Sequence, residues 1–189
     1  MQGYFIYKGI PVQQNEKSLE VIKDFITKEN FDVVIEIGTS YGGLSLFLHE
    51  ICSEIGCYFE TYDISTERSS MYPNDHVKSS IVVGDVFSDD IKHRIKEHLA
   101  SDKKCLLMCD GGNKVNEFNY FSKFVKVGDF IMAHDYAPNG QEFKDFFENK
   151  IWNWMEIQDS ELDRGFQYVK KSDWYEEFKN VAWLCCVKE

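Results

Sequence analysis

The sequence predicts an α/β protein: a doubly wound, mostly parallel seven-stranded sheet with helices on both faces and an antiparallel strand pair at its C-terminal edge. Three observations lead there. Short apolar runs alternate with helix-period patterns from residue 16 to residue 151. The first of these runs, Val33-Val34-Ile35-Glu36-Ile37, leads into a glycine-rich turn at the start of a helix. Beyond residue 151 the alternation lapses, and two strand-like runs follow without a long amphipathic helix between them.

Taken in order, Leu19, Ile22, Phe25 and Ile26 recur at helical spacing and predict an N-terminal helix over 16–29. The strand over 33–38 is followed by Leu44, Phe47, Leu48 and Ile51, one face of the next helix. Further strands are expected over 57–64, 81–86, 105–109 and 130–133. The intervening helical faces are Ile91, Ile95 and Leu99, then Val115, Phe118, Phe121, Ser122 and Val125, then Phe143, Phe146, Phe147 and Ile151. The late strands are expected over 154–157 and 181–187, paired with each other like a hairpin. No linker or repeat interrupts the chain, so 1–189 reads as a single domain. It has an N-terminal helical segment (1–30), a core (31–136) and a C-terminal part with a helix and edge strands (137–189).

Composition narrows the function. A net charge of −11 opposes nucleic acid and anionic membrane surfaces as bulk partners. Hydrophobic residues at 43% supply a core, and no apolar run approaches the roughly 20 residues of a membrane span. The N-terminal Met1-Gln2-Gly3-Tyr4-Phe5 lacks the regions of a signal peptide, which points to the cytoplasm. The six cysteines do not repeat a CxxC metal pattern and read as reduced, buried small hydrophobes. The composition leaves a homo-oligomer open.

Chemistry concentrates at strand ends. In open α/β sheets, ligands bind beyond the carboxyl ends of the strands. Five expected strands end in Glu36 and Gly38, in Asp63, in Asp85, in Asp110 followed by Gly111 and Gly112, and in His134 and Asp135. Each acid alone reads equally well as a helix cap, and Asp85 in particular as a turn residue before Val86-Phe87-Ser88. Five at one edge read as a site. Asp63 follows the first glycine by 25 residues, near the spacing of a ribose-binding acid. The turn Gly38-Thr39-Ser40-Tyr41-Gly42-Gly43 has glycines at its first, fifth and sixth positions, not the first, third and sixth of a pyrophosphate loop. Within 63–85 no basic residue is expected to face a ribose phosphate. A nucleoside ligand without a diphosphate fits best.

These residues resemble a class I S-adenosylmethionine-dependent methyltransferase of the small-molecule O-methyltransferase type, near the cephalosporin-hydroxylase-like and catechol O-methyltransferase-like groups. The resemblance is strongest over 31–136 and rests on the 36–45 turn, Asp63 and Val83-Gly84-Asp85-Val86. It implies a Rossmann-like methyltransferase fold and S-adenosylmethionine as cofactor. Glu36, Gly38, Thr39, Ser40, Tyr41, Gly42 and Gly43 would meet its methionine end, Asp63 and Ile64 its ribose, and Gly84, Asp85 and Val86 its adenine, with Asp110 nearby. The groups' metal pattern matches at Asp110 and Asp135, while His134 stands where an acid is usual. Lys114 lies one residue beyond the position of the catechol-type catalytic lysine.

Methyl transfer needs an aligned acceptor oxygen that has lost its proton. Asp110, His134 and Lys114 are the catalytic candidates, and Asp110, Asp135 and His134 the candidate ligands of a divalent metal such as Mg²⁺ or Mn²⁺. His134 alternatively acts as a base without metal, or packs as a structural ring. The expected activity is O-methylation of a small-molecule hydroxyl. A nicotinamide-dependent oxidoreductase and a non-catalytic nucleoside-binding domain are the competing readings.

Overall fold

The computed structural model describes residues 3–189; Met1 and Gln2, part of the stretch read for a targeting signal, lie outside them. The chain begins with a hairpin that the sequence did not announce, β1 (Phe5–Tyr7) and β2 (Ile10–Val12), antiparallel to each other. Lys8 and Gly9 both take positive φ, 48° and 86°, the conformation of a two-residue hairpin turn. Strands of three residues around Lys-Gly, instead of Asn-Gly, give almost no periodic signal.

Helix α1 (Ser18–Glu29) ends at Asn30, whose left-handed φ of 54° closes it. Its buried face is Ser18, Ile22, Phe25 and Ile26, with Leu19 only half-buried. There follow β3 (Val33–Ile37), α2 (Gly43–Ile55), β4 (Tyr58–Asp63), the short α3 (Glu67–Ser70) and α4 (Asp75–Ser80), and β5 (Ile81–Val83). Then come α5 (Asp89–Ala100), β6 (Cys105–Cys109), α6 (Lys114–Phe121) and β7 (Phe130–His134). The chain ends with α7 (Gly140–Glu142), β8 (Lys170–Lys171), α8 (Tyr175–Lys179) and β9 (Trp183–Val187).

Seven strands form one sheet in the order β5-β4-β3-β6-β7-β9-β8, as expected in number and kind. The first five are parallel; β9 runs antiparallel between β7 and β8. Strand order reverses between β3 and β6, so the crevice outside their carboxyl ends is the place for a ligand.

The pleat divides the core. Ile35, Leu107, Ile131 and Leu184 face α5 and α6, packing on Ile95, Leu99, Phe118 and Phe121. Val34, Leu106, Met132 and Trp183 face α1 and α2, packing on Ile22, Phe25, Leu48 and Ile51. With both faces covered the strands read as unbroken apolar runs. Truncating a fully buried residue such as Leu48 or Ile35 to alanine would cost about 2–5 kcal/mol. Five cysteines are buried in these layers, Cys57 is half-buried, and all six are free thiols, as the sequence suggested.

Two expectations fail in the last third. Residues 154–157 do not form a strand; Ile157 alone bridges Tyr136, in parallel. The amides of Glu156 and Ile157 instead donate to the Asp135 carbonyl, 2.9 and 3.2 Å away, so the segment is tied to the loop after β7. The edge partner of β9 is β8, two exposed lysines with no apolar pattern to read. The helix expected through Phe143 and Ile151 widens after α7 into a π turn over Phe143–Phe147, with Glu148 N–H reaching Phe143 C=O at 2.9 Å. That shift in period leaves Phe146 exposed. The third expected strand stops at Val83 because Gly84 (φ 152°) turns the chain away.

Beneath the turn after β3 sits Glu36, fully buried. Its Oε2 accepts Thr61 Oγ1–H from β4 at 2.6 Å and the Ser45 hydroxyl from α2, while Oε1 has no partner among the described residues. Burial pushes its carboxyl up to about 8, so it is neutral at pH 7. An acid protonated in the fold but ionised when unfolded withdraws stability as pH rises, here between about 4.5 and about 8. Urea unfolding of the wild type should therefore show stability falling across that window by a few kcal/mol, on the order of 1.4 kcal/mol per pH unit. The fall should be shallower in Glu36→Gln, leaving the part that Glu117, another buried acid with a raised pKa, contributes below about pH 7. Equal pH profiles for the two proteins would show that Glu36 is ionised in the fold.

Candidate active site

A cavity of about 810 Å³ opens at the switch point, within the usual size of ligand pockets. Its floor is the turn from Gly38 to Gly43. Gly38 takes φ 101°, and a Cβ there would strike the Asp110 carbonyl, so glycine lets β3 and β6 end side by side. Gly43 lets α2 begin against the hairpin, where a Cβ would meet the Pro11 carbonyl. Ser40 is a non-glycine residue at φ 49°, held there by its N–H donating to Asp63 Oδ2 at 2.8 Å. Thr39 is buried, its hydroxyl 2.7 Å from that of Thr61.

The strand-end acids converge as expected, with one exception. Asp63, Ile64, Gly84, Asp85, Val86, Asp110, Lys114, His134 and Asp135 line the cavity together with Gly38, Thr39, Ser40, Tyr41, Gly42 and Gly43. Glu36 lies behind the turn, out of the cavity, because its strand position points into the sheet; its part is to brace β3, β4 and α2. Asp63 also accepts the Ser65 N–H at 3.1 Å, and each of its oxygens keeps a further lone pair for a ligand. Asp85 accepts the Phe87 N–H at 2.9 Å, so it is a turn residue and a cavity residue at once. Arg68 corrects the expectation for 63–85: it lines the cavity, 3.4 Å from Ser40 Oγ and over the Tyr41 ring.

A charged cluster forms the far wall. His134 Nδ1 lies 3.1 Å from Asp110 Oδ1 and 3.4 Å from Asp135 Oδ1. Its ring is buried between Trp152 and Trp183, with centroids at 5.3 and 4.8 Å, and its Nε2 has no partner among the described residues. Burial works against protonation of this ring, but Asp135 and Asp110 outweigh it and raise its pKa. Lys114 Nζ sits 3.0 Å from Asp135 Oδ2, 2.8 Å from Glu156 Oε2 and 3.7 Å from Asp110 Oδ1. Burial disfavours its charge, yet these carboxylates outweigh it and raise its pKa, which favours the charged ammonium. Asp135 itself stands at φ 57°, with its carboxylate also receiving Trp152 Nε1–H.

Three residues of the wall were missed, Gln14, Glu117 and Glu156, the last the exposed partner of Lys114. Gln14, buried just after the hairpin, donates through Nε2 to Asp110 Oδ2 at 2.7 Å. Trp183 Nε1–H donates to its Oε1 at 2.8 Å, and because an indole only donates, this sets the orientation of the amide. Glu117 on α6 accepts the N–H groups of Gly111 and Asn113, each at 3.2 Å, and burial pushes its carboxyl up to about 7. No sequence spacing links Gln14 to strand ends 96 and 169 residues away. Glu117, by contrast, stands one helical turn from Asn113 and was legible as a loop cap.

Asp110, His134 and Asp135 each bring a ligand atom within 4.8 Å of the others. The two carboxylates suit Mg²⁺, and with the imidazole as a third donor the set suits Mn²⁺, Fe²⁺ or Zn²⁺, so the residues fit a divalent ion.

Solved structures share this architecture. The ligand-free structure of CmcI superposes with a TM-score of 0.70 at 10% identity, over 97% of this chain and 76% of that one. CmcI with Mg and SAM gives 0.67 at 14% identity, over 98% and 76%. An SAH-bound methyltransferase from Podospora anserina gives 0.56 at 11% identity, over 91% and 78%. At such identities the likeness shows the fold, that of the α/β methyltransferases. No curated protein sequence matches the chain. The model of the rhamnosyl O-methyltransferase/CmcI family matches residues 2–162. The chain belongs to this family and is an S-adenosylmethionine-dependent O-methyltransferase.

If the turn and Asp63 form the cofactor seat, Gly38→Ala should lose stability by about 2 kcal/mol or more and abolish S-adenosylhomocysteine binding, since backbone would have to move. Asp63→Asn should stay folded and bind the nucleoside at least about tenfold more weakly. Calorimetry with S-adenosylhomocysteine checks both; undiminished binding by Asp63→Asn would remove that residue from the site.

Proposed function

We propose that the cavity binds S-adenosylmethionine along the Gly38–Gly43 turn and transfers its methyl group to a hydroxyl of an uncharged small molecule at the Asp110–His134–Lys114 wall. The observation that supports this reading most is the convergence of turn, strand-end acids and charged cluster in one cavity. Asp63 holds the ribose hydroxyls, with Ile64 beside it. Gly84, Asp85 and Val86 form the adenine end, and Gly38 to Gly43 the methionine end. More acids than basic groups line the cavity: Asp63, Glu67, Asp85, Asp110, Glu117, Asp135 and Glu156 against Arg68, Lys114 and His134. Such a wall favours a sulfonium and works against a phosphorylated acceptor.

In the reaction the acceptor oxygen forms a bond to the methyl carbon as the carbon–sulfur bond breaks, and the electron pair stays on sulfur. The hydroxyl proton passes to Asp110, the less buried member of the pair, with His134 behind it and Gln14 fixing its second oxygen. Lys114 balances the negative charge that gathers there. A divalent ion, when bound by Asp110, Asp135 and His134, would lower the pKa of the acceptor hydroxyl.

We read 1–189 as one methyltransferase unit, because N-terminal α1 and C-terminal α8 pack on the same face of the sheet. Among the described residues no helix is long and apolar enough to cross a membrane. A cytoplasmic protein, free of nucleic acid, is in keeping with the net charge of −11 and the six free thiols. Self-association is part of the proposal to be settled by sedimentation.

The test is transfer of labelled methyl from S-adenosylmethionine to a panel of sugars, phenols and their phosphorylated counterparts. Transfer to a neutral hydroxyl, with Asp110→Asn lowering kcat by about a hundredfold or more and leaving KM for the cofactor within about threefold, is the expected result. A preference for phosphorylated acceptors, or an unimpaired Asp110→Asn, would overturn the assignment.

A further inference from the structure

We propose that the Lys114 ammonium is the resident cation of the carboxylate cluster, and that a divalent ion enters this site only by displacing it. The inference deepens the reading of the site given above and concerns its metal alone.

Asp110 and Asp135 follow the carboxyl ends of the neighbouring parallel strands β6 and β7, so their carboxylates come together at the cavity wall. Lys114, four residues after Asp110, opens α6 and sends its side chain back between them. Its Nζ contacts Asp135 Oδ2 (3.0 Å) and Asp110 Oδ1 (3.7 Å) and donates to the Gly111 carbonyl (3.0 Å), with the side chain only 8% exposed.

Every oxygen of the two aspartates already faces a donor. Asp110 Oδ2 accepts from Gln14, and Asp110 Oδ1 faces His134 and Lys114. Asp135 Oδ1 accepts from Trp152, and Asp135 Oδ2 pairs with Lys114. A metal bridging both residues must take an oxygen from each, and among the described residues Lys114 Nζ and His134 Nδ1 touch both carboxylates; His134 is itself a candidate ligand, which leaves the ammonium as the group an ion would displace. An ammonium left in place would sit a few ångströms from the ion, where like charges repel most strongly.

The other donors cannot yield easily. Gln14 and Trp152 are buried, and the Gln14 amide is locked by Trp183. Lys114 has a flexible stem and a third carboxylate partner, Glu156 at 2.8 Å, whose side chain is 54% exposed. Glu156 marks the route by which the ammonium moves out. Without metal the cluster is thus already compensated, and metal affinity is the outcome of an exchange of one cation for another.

The test measures Mn²⁺ binding by the electron paramagnetic resonance of the free ion, using wild type, Lys114→Met and Lys114→Gln. Lys114→Gln keeps a donor for the Gly111 carbonyl and serves if Lys114→Met does not fold, as judged by circular dichroism. The expected result is at least tenfold tighter Mn²⁺ binding once the ammonium is removed, with the gain lost on adding Asp135→Asn. Equal or weaker binding by the folded variant, or a gain that survives Asp135→Asn, would overturn the proposal. Calorimetry with S-adenosylhomocysteine in metal-free buffer tests the cofactor site separately, so a failure there is distinguishable from a failure of the exchange.

Discussion

The close approach of β3 and β6 at their carboxyl ends is the constraint on which the rest of the site depends. Gly38 leaves β3 with no side chain against the Asp110 carbonyl, and its φ of 101° is one that other residues rarely adopt. That contact opens the crevice of the sheet and sets the two halves of the cavity, a nucleoside side and a charged side, within reach of each other. Glu36 supports the arrangement from below as a neutral acid, joining β3, β4 and α2 without placing a charge in the core.

The charged side is balanced internally. Asp110, Asp135 and Glu156 share one ammonium, and an imidazole lies sandwiched between two indoles behind them. Breaking one member of such a buried set leaves the others uncompensated. The same balance gives the cavity a developing-charge site that is preorganised before any ligand arrives, since Gln14, Trp152 and Trp183 hold the partners in orientation.

Much of this was legible along the chain. The apolar runs at 33–37 and 105–109 are buried on both faces, and such strands announce themselves by nearly continuous hydrophobicity. The acids Asp63, Asp85, Asp110 and Asp135 were found because a strand end is a sequence position as well as a place in the cavity. The segments that escaped lack any period. The hairpin has strands of three residues, β8 is two exposed lysines, and 154–157 is a short apolar run, broken by Glu156, whose amides serve the loop after β7.

By itself the sequence determined the alternation of strands and helices, the glycine turn and the row of strand-end acids, because each depends on neighbours within about one element of chain. Only the tertiary structure decided what those acids do. Gln14 reaches Asp110 across 96 residues, Glu156 reaches Lys114 across 42, and Glu36 turns away from the cavity its neighbours line. Which carboxylate meets a donor, a cation or nothing is a property of packed distance, and no local pattern encodes it.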